Sequence, residues 1–484
     1  MKDHSTGYPE TAKNRILYTT HPAIYTDYYE LTMAQGYFLS GRQKESATFD
    51  YFFRSNPFDG GYVIFCGLSD FLELIHTIQF RDGELEYLKS QGFKEEFLQY
   101  LKNFEFKGDI YSVREGEIIF PNEPVLRVHG NLIETQILET LLLNILNFQS
   151  LIATKASRLK LAAGDKTVLD FGLRRSQGLG GIHASRAAAV GGVDGTSNVY
   201  SAYRYGLKTG GTMAHSWVQS YADEISAFRD YARHYPDDCI LLVDTYDTLE
   251  SGIPNAIKVG KELESKGYKL KGIRLDSGDL AYFARQSLKL LDEAGFQYVK
   301  IAASNQLDEK LIRSLKSQDA PIDIFGVGTR LVTGHDSPAL DGVYKLSSVN
   351  HLPKLKISEN IEKITLPGHK KVFRYLNGEG FFYGDAICMD SESSVEIMYH
   401  PYFPAKRSRL TMFEPEELMH SYIEKGKLVK ENSDVEKSAT YSKSRFSKLA
   451  REYKRFENPH IYKIGISKKL LDTRDKLMEE MKTV

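Results

Sequence analysis

Residues 167–178 read Thr-Val-Leu-Asp-Phe-Gly-Leu-Arg-Arg-Ser-Gln-Gly. A short β-branched and aliphatic run ends in a carboxylate, an aromatic, two arginines and glycine, and a helical pattern follows over Ile182–Val190. The same alternation recurs downstream. Strand-like runs at Val168–Phe171, Ile240–Val243, Gly272–Leu275, Tyr298–Ala302 and Ile322–Phe325 are separated by helical patterns. Those patterns cover Asn198–Tyr205, Trp217–Tyr231, Leu249–Lys266, Leu280–Ala294 and Leu307–Leu315. Strand and helix alternating at this spacing predict an α/β fold with a parallel sheet covered by helices. Such a sheet either closes into a barrel or stays open and doubly wound; polar or glycine-rich clusters follow nearly every strand at its C-terminal end, where barrel enzymes carry their chemistry, which favours a TIM-like α/β barrel.

Outward from this block the pattern changes on both sides. Residues 1–135 read as an α+β segment: a helix over Tyr25–Ser40, a strand over Ala47–Phe53, helices over Leu68–Ile78 and Leu85–Phe104, and strand-like sequence over Ile110–Val128. One or two long helices over Glu134–Ala163 lead into the barrel-like domain, 136–345. Residues 346–484 are strand-like at first and end in a tail, Tyr441–Val484, with 12 basic and 6 acidic residues, read as a solvated helical face.

The 484 residues contain 63 Lys and Arg against 64 Asp and Glu. A chain so nearly neutral has no net field for nucleic acid or an anionic membrane, so neither is expected as a partner and any anion site is local. Cys66, Cys239 and Cys388 are far apart and odd in number, without disulfide or paired metal-ligand spacing, which fits a reducing compartment. The first 18 residues lack a secretory pattern, and the apolar stretch Leu132–Ala153 carries Glu134, Glu139, Asn144, Asn147 and Gln149. The expected location is cytoplasmic.

Chemistry concentrates at the strand ends. Arg174 and Arg175, before Gly180 and Gly181 at a helix start, suit phosphate or carboxylate oxygens, although two surface arginines before a turn look the same. Phe325-Gly326-Val327-Gly328-Thr329 follows a late strand, where this architecture commonly binds phosphate. Asp244-Thr245-Tyr246-Asp247 and Arg274-Leu275-Asp276-Ser277-Gly278-Asp279 place carboxylates where they can hold Mg²⁺ or ribose hydroxyls. Helix capping is the competing reading for Asp247 and Asp279. His215 stands alone at a strand-to-helix junction, a setting in which most histidines are structural. No Walker loop or Gly-x-Ser-x-Gly elbow occurs.

Taken together these segments resemble the nicotinate phosphoribosyltransferase family. The resemblance rests on Thr26-Asp27-Tyr28-Tyr29-Glu30-Leu31-Thr32-Met33, Phe52-Phe53-Arg54, the Phe-Gly-Leu-Arg-Arg-Ser-Gln-Gly block at 171–178 and Gly-Thr-Met-Ala-His-Ser at 211–216. Asp-Thr-Tyr-Asp at 244–247, Arg-Leu-Asp-Ser-Gly-Asp at 274–279, Phe-Gly-Val-Gly-Thr at 325–329 and Asn-Pro-His-Ile-Tyr-Lys at 458–463 extend it over nearly the whole chain. It implies an irregular α/β barrel joined to an α+β domain built from both chain ends, and a homodimer with sites near the subunit interface. The implied reaction joins nicotinate to phosphoribosyl pyrophosphate, with ATP as co-substrate coupled through a phosphorylated His215. Imidazole, largely neutral at pH 7 with an ordinary pKa of ~6.5, is a competent nucleophile toward a phosphoryl group.

The resemblance also distributes roles. His215, Asp244, Arg274 and Asp276 would be catalytic. Phe171 and Tyr29, from opposite subunits, would sandwich the pyridine ring, with Arg274 on the nicotinate carboxylate and Arg174 on that carboxylate or the pyrophosphate. Gly326, Gly328, Thr329, Ser304 and Asn305 would take the ribose 5-phosphate end. Asp27, Gly211, Ser216 and Asp279 complete the expected substrate contacts, and Asp276 and Asp279 the expected Mg²⁺ site. Ser197 stands where the nicotinamide-using relative carries an aspartate, which favours nicotinate. No structural zinc is expected, because three scattered cysteines cannot supply a knuckle. Three other classes compete with this reading. A quinolinate-using transferase would need more basic residues and no Ala-His-Ser segment. A metal-dependent hydrolase would need clustered histidines. A pyridine-nucleotide-binding protein without catalysis would be expected to lack His215, Arg274 or Asp244.

Overall fold

A computed structural model describes residues 22–360, 363–430 and 433–482. The chain forms two compact units, one of residues Ile152–Pro338 and one built from both chain ends, up to Leu151 and from Ala339 onward. These boundaries differ from the sequence reading at 135/136 and 345/346. The reason is visible at each: the helix Glu139–Ala163 runs through the first, and the strand Gly342–Val349 pairs antiparallel with Ser46–Phe53 and so belongs with the chain ends.

In the central unit six strands form one parallel sheet: β1 (Thr167–Asp170), β2 (Gly195–Thr196), β3 (Ile240–Leu242), β4 (Gly272–Leu275), β5 (Lys300–Ser304) and β6 (Ile324–Val327). Their order is β2-β1-β6-β5-β4-β3. Val168, Leu241, Leu242, Ile273, Leu275, Ile301, Ala303, Phe325 and Val327 are all buried, as expected for parallel strands covered on both faces. The ladder keeps two edges. Beyond β2 it is extended by a bridge from Thr196 to Thr209, and the segment that follows bonds to the other end of the strand order: Arg274 of β4 donates to Thr212 Oγ1 at 2.5 Å, and His215 meets Thr245, just after the edge strand β3.

Four of the six strands, β2 to β5, hand over to a helix whose first turn is capped by a short polar side chain, whereas glycines, Gly178 and Gly328, stand before the helices that follow β1 and β6. Asn198 accepts from the Ser201 amide, Asp247 from Leu249 and Glu250, Asp279 from Tyr282 and Asp308 from Leu311. Two expected helices are broken. Trp217–Tyr231 divides into His215–Gln219 and Glu224–His234, because Asp223 caps the second through the Ser226 amide. Leu85–Phe104 divides into Asp82–Ser90 and Glu95–Lys102 around Gly92, whose φ of +92° closes the first. The last two strands begin two residues later than expected. Gly326 therefore lies inside β6, paired with Leu169 and Ser304, and not in the loop beyond it.

The end-built unit is α+β. One seven-stranded sheet combines strands from both ends, with Ser46–Phe53 between Gly342–Val349 and Leu126–Asn131. A second, six-stranded sheet comes entirely from the C-terminal part. The basic tail holds the second half of the helix Val435–Lys448 and the helix Lys468–Lys482. The stretch Leu132–Ala163 has the length and apolar content of a membrane span, but it is mostly buried in the fold. All three cysteines are buried, and among the described residues none forms a disulfide.

Candidate active site

The C-terminal ends of the six strands supply most of the polar groups singled out from sequence in this unit, and Gly211, His215 and Ser216 come from the segment after Thr209. Asp244 follows β3 directly, and its Oδ2 accepts the Asp276 amide at 2.8 Å and the Ser277 hydroxyl at 2.7 Å, which ties the β3 and β4 loops together. Its Oδ1 is buried without a hydrogen-bond partner. Asp276 in turn accepts the Ser304 hydroxyl from the end of β5 through Oδ1, and its Oδ2 lies 3.7 Å from His215 Nε2. His215 Nδ1 is 3.1 Å from the Thr245 hydroxyl. The ring thus spans the β3 and β4 ends and stays about a third exposed, with its side chain at 37%.

Arg274 lies on β4 with its Nε buried and unpartnered. Burial pulls its guanidinium below the ordinary arginine value, Asp276 and Asp244 oppose that shift, and Arg174 adds to it as a nearby like charge. Two arginines that repel each other across the β1 and β4 ends are stabilised by an anion between them. Arg174 itself is exposed on the 3₁₀ turn Leu173–Arg175. Gly178 holds φ +49° and ψ −120°, a conformation only glycine adopts easily, and from it the helix Leu179–Val190 starts.

Phe171 is the first residue beyond β1, its amide bonded to the Val327 carbonyl at 2.8 Å. Its ring covers Gly326: a Cβ there would lie 2.5 Å from two ring carbons. The Gly328 position also closes on the Phe171 backbone, at 3.3 Å. Thr329 opens the short helix Thr329–Val332, while Asn305 and Gln306 turn left-handed, at φ +82° and +47°, as the chain leaves β5. Gly211 and Ser216 flank Thr212 and His215 on the same exposed segment. Ser197 is exposed just past β2. Asp194 lies at the other end of that strand pair, accepting Lys160 Nζ at 2.7 Å and the Val168 amide at 2.8 Å. Asp279 caps the helix Leu280–Glu293. Among the described residues no group of three or more His, Cys, Asp or Glu side chains is arranged to hold a metal ion.

Asp27 and Tyr29 belong to the end-built unit, at the start of the helix Tyr28–Leu39, where Tyr28 and Tyr29 are exposed. There Asp27 bonds Thr140, and Glu30 accepts both the Thr140 amide, at 2.9 Å, and the Thr26 hydroxyl. Burial pushes the Glu30 carboxyl up to about 7, and burial with Glu139, Glu30 and Asp27 raises the Tyr29 hydroxyl.

Sequence reasoning passed over Thr212, Thr245 and Ser277, the hydroxyls that join these loops. Each sat inside a segment already quoted, but a threonine or serine in a loop carries no distinguishing signal.

Comparison with known proteins bears on the whole chain. Residues 24–147 match the nicotinate phosphoribosyltransferase N-terminal domain, 167–377 the nicotinate phosphoribosyltransferase family and 369–474 its C-terminal domain. The nicotinate phosphoribosyltransferase of Bacillus subtilis is 42% identical over 95% of this chain and 96% of its own length. That of Dictyostelium discoideum is 36% identical over 93% and 87%. The crystal structure of human nicotinic acid phosphoribosyltransferase superposes with a TM-score of 0.83 at 29% identity, covering 93% of this chain and 99% of the human one. With strand ends, loops and sequence in agreement over nearly its full length, the chain belongs to the nicotinate phosphoribosyltransferase family.

Proposed function

We propose that this chain transfers the phosphoribosyl group of phosphoribosyl pyrophosphate to nicotinate, giving nicotinate mononucleotide and pyrophosphate, with ATP hydrolysis coupled through phosphorylation of His215. The observation that carries the coupled reading is the His215 ring between Thr245 and Asp276, with the half-buried cation Arg274 bonded to Thr212 on the same segment as His215. With its Nδ1 proton donated to Thr245, His215 keeps a lone pair on Nε2, the nitrogen that attacks the γ-phosphorus of ATP as ADP leaves.

Transfer at the anomeric carbon has a cationic transition state in which charge gathers on the departing pyrophosphate. Arg274 and Arg174 stabilise negative charge where it develops or hold the nicotinate carboxylate, which aims the pyridine nitrogen at the anomeric carbon. Asp244 and Asp276 face the ribose hydroxyls, Ser304, Asn305, Gly328 and Thr329 the 5-phosphate, and Gly211 and Ser216 the phosphates near His215, while Gly326, inside β6, seats the Phe171 ring. Magnesium takes one or two carboxylates plus substrate oxygens, and the carboxylates of Asp276 and Asp279, with the unpartnered Asp244 Oδ1, fit that requirement. When bound, Mg²⁺ would neutralise leaving pyrophosphate. Phe171 stacks on one face of the pyridine ring. Tyr29, exposed beside Asp27, covers the other from the neighbouring subunit of a homodimer. The same reading puts the chain in the cytoplasm.

The test is product formation from phosphoribosyl pyrophosphate and Mg²⁺ with nicotinate, nicotinamide or quinolinate, each with and without ATP. Reaction of nicotinate alone, with ATP hydrolysed in step, is the expected result. Absence of product with every base, while phosphoribosyl pyrophosphate still binds, would overturn it.

A further inference from the structure

Asp170, the last residue of β1, is only 1% exposed and has no place in the chemistry above. Its carboxylate is nevertheless the meeting point of three segments. One oxygen accepts the Gly172 amide at 2.8 Å, and the other accepts the Ser185 hydroxyl at 2.6 Å and the Thr196 hydroxyl at 2.7 Å. Its backbone carbonyl accepts the Ser197 amide at 2.8 Å. The segments so joined are the loop that carries Phe171 and Arg174, the end of β2 that carries Ser197, and the helix Leu179–Val190.

The network is arranged around an acceptor at this place: three donors meet the carboxylate. Thr196 Oγ1 already accepts the Asn198 amide at 3.0 Å, and Ser185 Oγ already accepts Asn198 Nδ2 at 3.1 Å. Asp170 is the shortest acceptor of each hydroxyl, the alternatives being the Gly181 carbonyl at 3.1 Å for Ser185 and Ser185 Oγ at 3.4 Å for Thr196. The Gly172 amide can only donate. An uncharged amide at position 170 would set its N–H groups either against the Gly172 amide, leaving a buried donor unmatched, or against the two hydroxyls, which would turn their protons to these longer contacts.

We infer that Asp170 is a positioning residue that sets the relative places of Phe171 and Ser197, and through them the fit and selectivity of the pyridine-base subsite. This rests on the proposed roles of those two residues. Asp170 acts on the base subsite because both segments it ties carry base contacts, whereas the Asp244, Asp276 and Ser304 cluster is held by its own hydrogen bonds.

The experiment is steady-state kinetics of the full chain with both substrates varied, for Asp170→Asn, Thr196→Val, Ser185→Ala and Phe171→Ala. In Asp170→Asn the expected KM for nicotinate rises about tenfold, the loss from one unmatched buried donor, while KM for phosphoribosyl pyrophosphate stays within about twofold. Thr196→Val and Ser185→Ala, which keep the charge and remove one donor each, show the same split at smaller size and carry the test if Asp170→Asn does not fold. Nicotinamide, measured as a competitor, gains on nicotinate in the same order. Equal changes in both KM values, or a fall in kcat alone with lower thermal stability, would overturn the inference and leave Asp170 as scaffold. If Phe171→Ala leaves the nicotinate KM unchanged, the base-stacking reading itself fails; if it raises that KM and the Asp170 network variants do not, only the inference fails.

Discussion

His215 is the residue on which the coupled reaction turns, and its two ring nitrogens face different partners, Thr245 and Asp276. In His215→Ala, ATP stimulation is expected to disappear while slow ATP-independent formation of nicotinate mononucleotide persists, because the base and ribose contacts are untouched. Paired product and ADP assays check this, and full ATP stimulation in the variant would end the phosphohistidine assignment. Ser197 makes a second single-residue test. Ser197→Asp would set a carboxylate toward the substrate carboxylate, and like charges a few ångströms apart in a partly desolvated site cost on the order of 1–2 kcal/mol. Nicotinate should therefore weaken by roughly tenfold or more relative to nicotinamide, read as the ratio of their competition constants. The neighbouring Asp194 does not blur this test, since it is bound to Lys160 and the Val168 amide at the opposite end of the strand pair. That separation was not legible in sequence: three residues along the chain here reverse which end of the strand a side chain serves.

At the scale of single elements, β6 shows how close packing sets the site. Gly326 lies under the Phe171 ring, and a methyl group there would come within 2.5 Å of it. Gly326→Ala is expected to displace the ring, raise the nicotinate KM about tenfold, and cost only about 1–3 kcal/mol of stability, because the ring edge can move where a packed core could not. Kinetics and a denaturant midpoint on one preparation separate the two effects; an unchanged KM with lowered stability would show that the ring does not meet the base. The same strand marks the limit of sequence reading. Aliphatic runs located all five expected strands of the central sheet, yet β5 and β6 were read two residues early. Tyr298 looked like strand sequence, but its hydroxyl bonds Glu264 at 2.8 Å outside the sheet. Asp323 beside Ile322 accepts Lys166 Nζ and the Ile301 amide before β6 begins. Aromatic and aliphatic side chains drew the boundary, whereas the polar partners that fixed it lie on other elements.

For the whole molecule, legibility follows the sequence distance between partners. Parallel strands with helices between them leave a repeating local signature, so the central unit could be read directly. The end-built unit pairs Ala47 with Val349 and Thr48 with Ser348, about 300 positions apart, and no local pattern announces such a ladder. Its consequence is a polar cluster assembled from both ends: the Thr48 hydroxyl lies 2.9 Å from His129 Nδ1 and 2.8 Å from His369 Nε2, and Ser348 Oγ is 3.1 Å from the same His369 nitrogen. Burial, followed by the nearby charges of Arg127 and His129, holds His369 down to about 4, against the opposing pull of Asp390 and Asp50. A histidine depressed in the fold takes up its proton more readily when unfolded. Its neutral form therefore contributes stability that is complete above the ordinary value near 6.5 and is lost as pH falls from there toward about 4. Glu30, raised to about 7, works in the other direction, giving stability below 4.5 that is lost as pH rises through 7, so the net curve of the wild type alone does not isolate either group. His369→Gln removes the titrating ring and keeps a polar group beside Thr48 and Ser348. The wild type's stability advantage over this variant is expected to shrink by on the order of 2 kcal/mol between pH 7 and 4.5, measured as denaturant midpoints at matched ionic strength. Parallel curves for the two proteins would mean that His369 does not change protonation on unfolding in this range.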